Sequence, residues 1–232
     1  MGVQPEVAAA AVVIQHKGMI NNNLIIFLKY PEPGKVKTRL GKVIGYENAA
    51  DVYSVFIKHL LSTFADSNTY KITVYYSPKE RGDDILKLLN IDDIKHQEGK
   101  NLGERLSHAF ESSFLNGYIN TIIIGTDCIE LTNDDIEMAF TYLSGSFDSV
   151  IGPTNDGGYY LLGFSNNNHP YLFENIDWST EKVFKQTIER IKQSEIKNKV
   201  LNYYNDIDEI SDINSNVIKI INSYNPNLRI FN

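Results

Sequence analysis

The chain has 232 residues, a formal net charge of -7, 42% hydrophobic and 22% charged residues, and one cysteine. That length supports one large α/β domain or two small ones with a real core. The acidic balance argues against a broad nucleic-acid-binding face, and a lone cysteine excludes an intramolecular disulfide and suits a reducing compartment.

No apolar run approaches the roughly 20 residues that cross a bilayer. Residues 8–14 are apolar but short, and no Lys or Arg precedes them, so they make a poor secretory signal. The Met-Gly start carries Glu6 where a myristoylation pattern wants Ser or Thr. The cytoplasm is the expected location.

In chain order, residues 1–22 read as an extension that ends in an asparagine run, with Met19 as an alternative start; the domain is expected over residues 23–232. Residues 24–30 form a β-rich apolar run stopped by Pro31-Glu32-Pro33-Gly34. Val52, Val55, Phe56, Leu60 and Phe64 recur at helical spacing. Residues 71–76 predict a second strand and 84–89 a short helix. Leu102, Leu106, Ala109, Phe110 and Phe114 line one face of another helix. Residues 121–125 are continuously apolar, the pattern of a strand buried on both faces. Thr132-x-x-Asp135 has the form of a capping box. Residues 149–152 and 159–164 predict strands. Ser179 or Thr180 is expected to cap a helix carrying Val183, Phe184, Thr187, Ile188 and Ile191. A strand over 200–204 then leads to a last helix bearing Ile210, Ile213, Val217 and Ile221.

Repeated β-then-α order implies one α/β domain with a mostly parallel sheet covered on both faces. Such sheets bind ligands beyond the carboxyl ends of their strands, which directs attention to the loops there. After the first strand, Pro33, Gly34, Lys35, Lys37 and Arg39 combine a stiffened turn, a glycine and three cations. Backbone N–H groups, a lysine point charge and a forked guanidinium suit a di- or triphosphate. A solvated basic turn is the plain alternative. Neither the Walker pattern nor G-x-G-x-x-G occurs, which sets aside P-loop and dinucleotide-binding proteins.

Gly125-Thr126-Asp127-Cys128 follows the buried strand. A carboxylate there can hold Mg²⁺ or Mn²⁺ against phosphate oxygens, or it can simply cap the loop. Cys128 has no neighbouring histidine in sequence and reads as a small buried thiol. Asp156-Gly157-Gly158 before Tyr159 and Tyr160 is a hairpin signal, and its glycines also let backbone close over a ligand.

Together Pro31-x-Pro33-Gly34-x-Val36-Lys37-Thr38-Arg39-Leu40, Asn101-Leu102-Gly103-Glu104-Arg105, Gly125-Thr126-Asp127-Cys128, Gly152-Pro153-x-x-Asp156-Gly157-Gly158-Tyr159-Tyr160 and Trp178-Ser179-Thr180 resemble, in order, the radical-SAM/selenodomain-associated transferases. These belong to the GT-A, or nucleotide-diphospho-sugar transferase, superfamily. A more distant similarity is to 2-phospholactate guanylyltransferase, through the Lys-x-Arg-Leu loop and the Asp-Gly-Gly turn. A late segment, residues 206–213, matches the family's Asp-Ile-Asp-Thr-Pro-Glu-Asp-Leu with Glu209 and Ile210 in place of Thr and Pro.

The resemblance implies a GT-A-like fold and a bacterial, metal-dependent transferase acting on a nucleotide or nucleotide sugar. Carried over, Lys37 and Arg39 neutralise phosphates, with Pro33, Gly34, Lys35 and Gly103 beside them. Asp127 binds the metal, with Asp206 or Asp208 as a second carboxylate. Asp156, Gly157, Gly158, Tyr159 and Trp178 shape the acceptor side, unless Trp178 is only a core anchor. Glycosyl transfer and nucleotidylyl transfer with pyrophosphate release both fit this residue set, and a non-catalytic nucleotide-binding module is the third reading. Oligomeric state is not legible.

Overall fold

In the computed structural model, residues 20–89, 91, 94–226 and 228 are described. The expected extension and the alternative start at Met19 fall largely outside them.

Strand β1 (Asn22–Lys29) begins one residue inside the expected extension. Asn23 is buried there, accepting from Thr73 Oγ1 at 3.0 Å and donating to Ser113 Oγ at 2.8 Å. An asparagine satisfied by neighbouring elements joins a strand as readily as an apolar residue. The chain then forms α1 (Thr38–Ile44), α2 (Tyr46–Phe64), β2 (Lys71–Ser77), α3 (Gly82–Leu89), β3 (Ile94–His96) and α4 (Leu102–Leu115). After these come β4 (Asn120–Ile124), α5 (Asn133–Ser144), β5 (Ser149–Pro153), β6 (Tyr159–Ser165), α6 (Val183–Gln193), β7 (Asn198–Val200) and α7 (Ser215–Tyr224).

The strands make one sheet in the order β3-β2-β1-β4-β6-β5-β7. Six run the same way, and β6 alone is antiparallel, to β4 on one side and β5 on the other. The architecture is the expected single α/β domain with a mostly parallel sheet. Every residue of β4 is buried, because helices cover both faces. Leu24, Ile26, Ile122 and Ile124 pack against α2 and α5 on one face. Ile25, Ile123, Leu162 and Phe164 pack against α4 and α6 on the other. No helix among the described residues is long and apolar enough to cross a membrane.

Thr132 caps α5 as expected: its side chain accepts from Asp135 N, and the Asp135 carboxylate accepts from Thr132 N at 2.9 Å. Elsewhere the elements differ from expectation. The N-cap of α6 is Lys182, not Ser179 or Thr180. The Thr180 hydroxyl is used one turn earlier, donating to Asp177 O at 2.7 Å and accepting from Lys182 N. Strand β7 ends at Val200, and Tyr204 returns to the sheet by a bridge to Thr154 and by packing its ring on Tyr160. Ile210 belongs to a separate 3-10 turn (Ile210–Asp212) and is exposed, so α7 starts only at Ser215. Leu102, expected on the core face of α4, is also exposed, since the helix begins at that residue.

Candidate functional site

The loops after β1, β4 and β7 meet at the carboxyl edge of the sheet, and Lys37 joins them. Lys37 precedes α1 in the left-handed region (φ 44, ψ 47), which side-chain-bearing residues adopt only at a cost. That conformation sends its chain inwards. The Nζ forms ion pairs with Asp127 Oδ1 and, at 3.2 Å, with Asp208 Oδ1. It also donates to Ile207 O at 2.5 Å, and it lies 5.7 Å from the centre of the Phe56 ring. The Lys37 side chain is 3% exposed, while those of Asp127 and Asp208 are 49% and 44% exposed. The carboxylates therefore face the solvent cleft and the ammonium sits beneath them. Burial pulls the Lys37 pKa down, but Asp127 and then Asp208 outweigh it and the net direction is up.

A backbone contact closes the triangle: Ile207 N donates to Asp127 O at 3.0 Å. From below, the Tyr53 hydroxyl on α2 shares a 2.8 Å hydrogen bond with Thr126 Oγ1 and accepts from Lys29 N at 3.1 Å. Burial first, and Asp127 second, push that phenol up to about 12. Tyr53 ties β1 to the residue before Asp127, and the sequence reading missed it because Tyr53 looks like one more apolar position of α2.

Negative charge gathers around this centre. Asp206 is pushed up to about 6, by burial first and then by Asp156, Asp208 and Asp127. Asp156 also organises its own hairpin loop, its Oδ1 accepting from Thr154 Oγ1 at 2.5 Å and from Gly158 N at 2.9 Å. Gly157, at φ 87, has no room for a side chain: a Cβ there would lie 2.1 Å from Glu181 O. Phe184 N donates to Gly157 O at 2.8 Å, fastening the first turn of α6 to this loop. Gly125 differs, because a Cβ there would meet nothing within 4 Å. Open space adjoins Asp127.

The other basic residues stand at the rim. Pro33, Gly34 and Lys35 are exposed, and Gly34 turns the chain at φ 77 with nothing near its missing Cβ. Arg39 pairs with Glu209 at 3.5 Å, with both side chains more than half exposed.

Gly103 is buried, and a Cβ on it would lie 2.9 Å from Trp178 Cζ2 and 3.0 Å from Phe173 O. It packs the start of α4 against the Phe173 and Trp178 segment and lines the cavity there. Tyr159 and Tyr160 do not share a side. Successive strand residues point to opposite faces; the register shift opposite Gly152/Pro153 leaves Tyr160 unpaired and puts it on the same face as Leu161. Tyr160 packs on the α5 face, and Tyr159 on the α4 and α6 face. Trp178 is half-buried, neither enclosed in the core nor free. It lines a cavity of about 470 Å³ with Asn101, Ser107, His108, Glu174 and Asn175. Cys128 is 3% exposed and its thiol is pushed up by burial, then by Asp127, which agrees with the expected small buried thiol.

A divalent metal fits this centre in a restricted sense. The Lys37 ammonium shows that Asp127 and Asp208 converge on a cation. Among the described residues, no group of three or more His, Cys, Asp or Glu is arranged as a ligand set. Magnesium commonly takes only one or two carboxylates and completes its shell with waters and substrate phosphates.

No curated protein matches the sequence. The family model for uncharacterized proteins conserved in bacteria, DUF2064, matches residues 60–180. A solved structure from Desulfovibrio desulfuricans G20, provisionally named a nucleotide-diphospho-sugar transferase, is similar at 30% identity with a TM-score of 0.80, over 89% of this chain and 99% of that one. The fold also resembles inositol-1-phosphate CTP transferase from T. maritima (13% identity, TM-score 0.52, 88% and 96% covered). A further likeness is 4-diphosphocytidyl-2C-methyl-D-erythritol synthase from Anaerococcus prevotii DSM 20548 (13%, 0.52, 88% and 96%). On the family model and the Desulfovibrio relative together, the chain belongs to DUF2064, the family of uncharacterized proteins conserved in bacteria.

Proposed function

We propose that the chain is a transferase that acts on a nucleotide sugar, transferring the sugar to an acceptor. The observation that carries this reading is the convergence of Lys37, Asp127 and Asp208 from three separate loops beside open space at Gly125. The name borne by the 30%-identical Desulfovibrio protein supports the nucleotide-sugar donor. Lys37, with Lys35 and Arg39 at the rim, holds the diphosphate by charge and donated hydrogen bonds. Asp127, with Asp206 or Asp208, holds Mg²⁺ or Mn²⁺. When bound, such an ion neutralises phosphate oxygens and stabilises charge on the departing group.

Transfer of this kind needs positioning and fixed charge more than a covalent nucleophile, and a buried, protonated Cys128 agrees with that. We place the acceptor in the cavity at Trp178. An aromatic face with the amides of Asn101 and Asn175, and no lysine or arginine among its described lining residues, suits a neutral hydroxylated ring over an anion. The lone buried cysteine is compatible with work in the cytoplasm.

Nucleotidylyl transfer is the second reading. It is favoured by the single aspartate after β4, where many glycosyltransferases carry Asp-x-Asp, and by a cationic loop suited to pyrophosphate. One assay separates the two: incubation with nucleotide sugars or nucleoside triphosphates, Mg²⁺ and a panel of hydroxylated acceptors. Nucleoside diphosphate release supports the first reading, and pyrophosphate release the second. Turnover of neither, with binding intact, leaves a non-catalytic nucleotide-binding module.

A further inference from the structure

Among the described residues Lys37 is the only charged residue that is buried. Its Nζ is surrounded by Asp127 Oδ1, Asp208 Oδ1, Ile207 O and the face of Phe56. The ammonium thus lies where the two carboxylates of the cleft converge, the position from which they would otherwise share a divalent ion. Two cations cannot occupy contact distance of the same oxygens in a half-buried site without strong repulsion.

We infer that Lys37 is a built-in cation plug, which keeps Asp127 and Asp208 closed to a metal until phosphate arrives. Phosphate offers the ammonium a partner as strong as the carboxylates it leaves. The four-carbon stem lets Nζ swing from Asp127 towards the cleft while the backbone stays in place. Arg39 and Lys35 at the rim are free to meet the phosphate first, since an exposed pair such as Arg39–Glu209 holds little energy. Binding is therefore ordered, with phosphate before or together with metal, and metal alone held only weakly. Coupling of this type is reciprocal, so metal also tightens phosphate. The inference rests on the phosphate-site reading and adds its regulation: the protein ignores free divalent ions and responds only to the loaded nucleotide.

The test is equilibrium dialysis of Mn²⁺ against the full chain, alone and with inorganic pyrophosphate, with Asp127→Asn as the control for site. Wild-type protein is expected to retain Mn²⁺ only weakly alone and firmly with pyrophosphate. In Lys37→Met, which keeps length and removes charge, Mn²⁺ alone is expected to bind at least about tenfold tighter than in wild type. Tight, Asp127-dependent binding of Mn²⁺ alone to the wild type overturns the plug while leaving the phosphate-site reading intact, and this arm stands even if the variant fails to fold. A folded Lys37→Met that holds Mn²⁺ no better than wild type also overturns it. Failure to retain Mn²⁺ with pyrophosphate in the wild type sinks the phosphate-site reading itself.

Discussion

Gly125 and Asp127 show how much one side chain decides at this edge of the sheet. The backbone of Gly125 lies outside the left-handed region, and its missing Cβ faces open space. Gly125→Ala is therefore expected to melt at or slightly above the wild-type temperature, since alanine at a compatible site restrains the unfolded chain by about 0.4–1 kcal/mol. The added methyl stands beside Asp127, so the shift in melting that a nucleotide induces should shrink; an undiminished shift would mean the space is not used. Tyr53→Phe tests the support beneath. It leaves Thr126 Oγ1 and Lys29 N without their shared partner, at a cost of about 1–3 kcal/mol measurable by denaturant unfolding. Cys128 gives a chemical check: burial and Asp127 keep the thiol protonated, so iodoacetamide at pH 8 should modify it only after unfolding. Rapid labelling of the native protein would contradict the packing described.

At the scale of elements, the hairpin loop between β5 and β6 and the segment before α6 hold each other. Gly157→Ala must resolve both a positive φ and a 2.1 Å approach to Glu181 O, which is expected to cost about 2–3 kcal/mol. Differential scanning calorimetry should show a drop of roughly 5–10 °C for a domain of this size. The longer elements were legible because their residues repeat a period: Val52, Phe56 and Leu60 of α2 are all fully buried, and Thr132 with Asp135 announced α5. Helix α1 was not, since only Leu40 and Gly41 of its seven residues are buried and no apolar period exists to find. Strands β3 and β7 have three residues each, none fully buried, so they draw their order from a neighbour's edge rather than from their own pattern. The cap of α6 was misplaced because Ser179 and Thr180 carry the right hydroxyls, yet Ser179 sits at φ 63 and Thr180 turns its hydroxyl back to Asp177.

For the whole molecule, the parallel direction of six strands is what gathers loops distant in sequence. Asp127 and the 206–208 segment lie far along the chain from Lys37, and no local pattern marks a lysine as buried. Phosphate-loop chemistry and the Asp127 carboxylate could be read from residue types after strands; their direct pairing could not, because it is a tertiary fact. The central claim is that this junction binds nucleotide phosphates through Asp127 and a divalent ion. Its most direct measurement is the melting shift of wild type and Asp127→Asn with nucleotide and Mg²⁺, each against its own ligand-free baseline. Lys37 retains Asp208 and Ile207 O in the variant, so Asp127→Asn should fold. A ligand at about 100 times its dissociation constant stabilises a native protein by about 2.7 kcal/mol, and the wild type is expected to show a shift of that order when Mg²⁺ is present. Asp127→Asn is expected to show none; an equal shift in the variant would contradict the account and leave Asp127 as a residue that only ties its loop to Lys37.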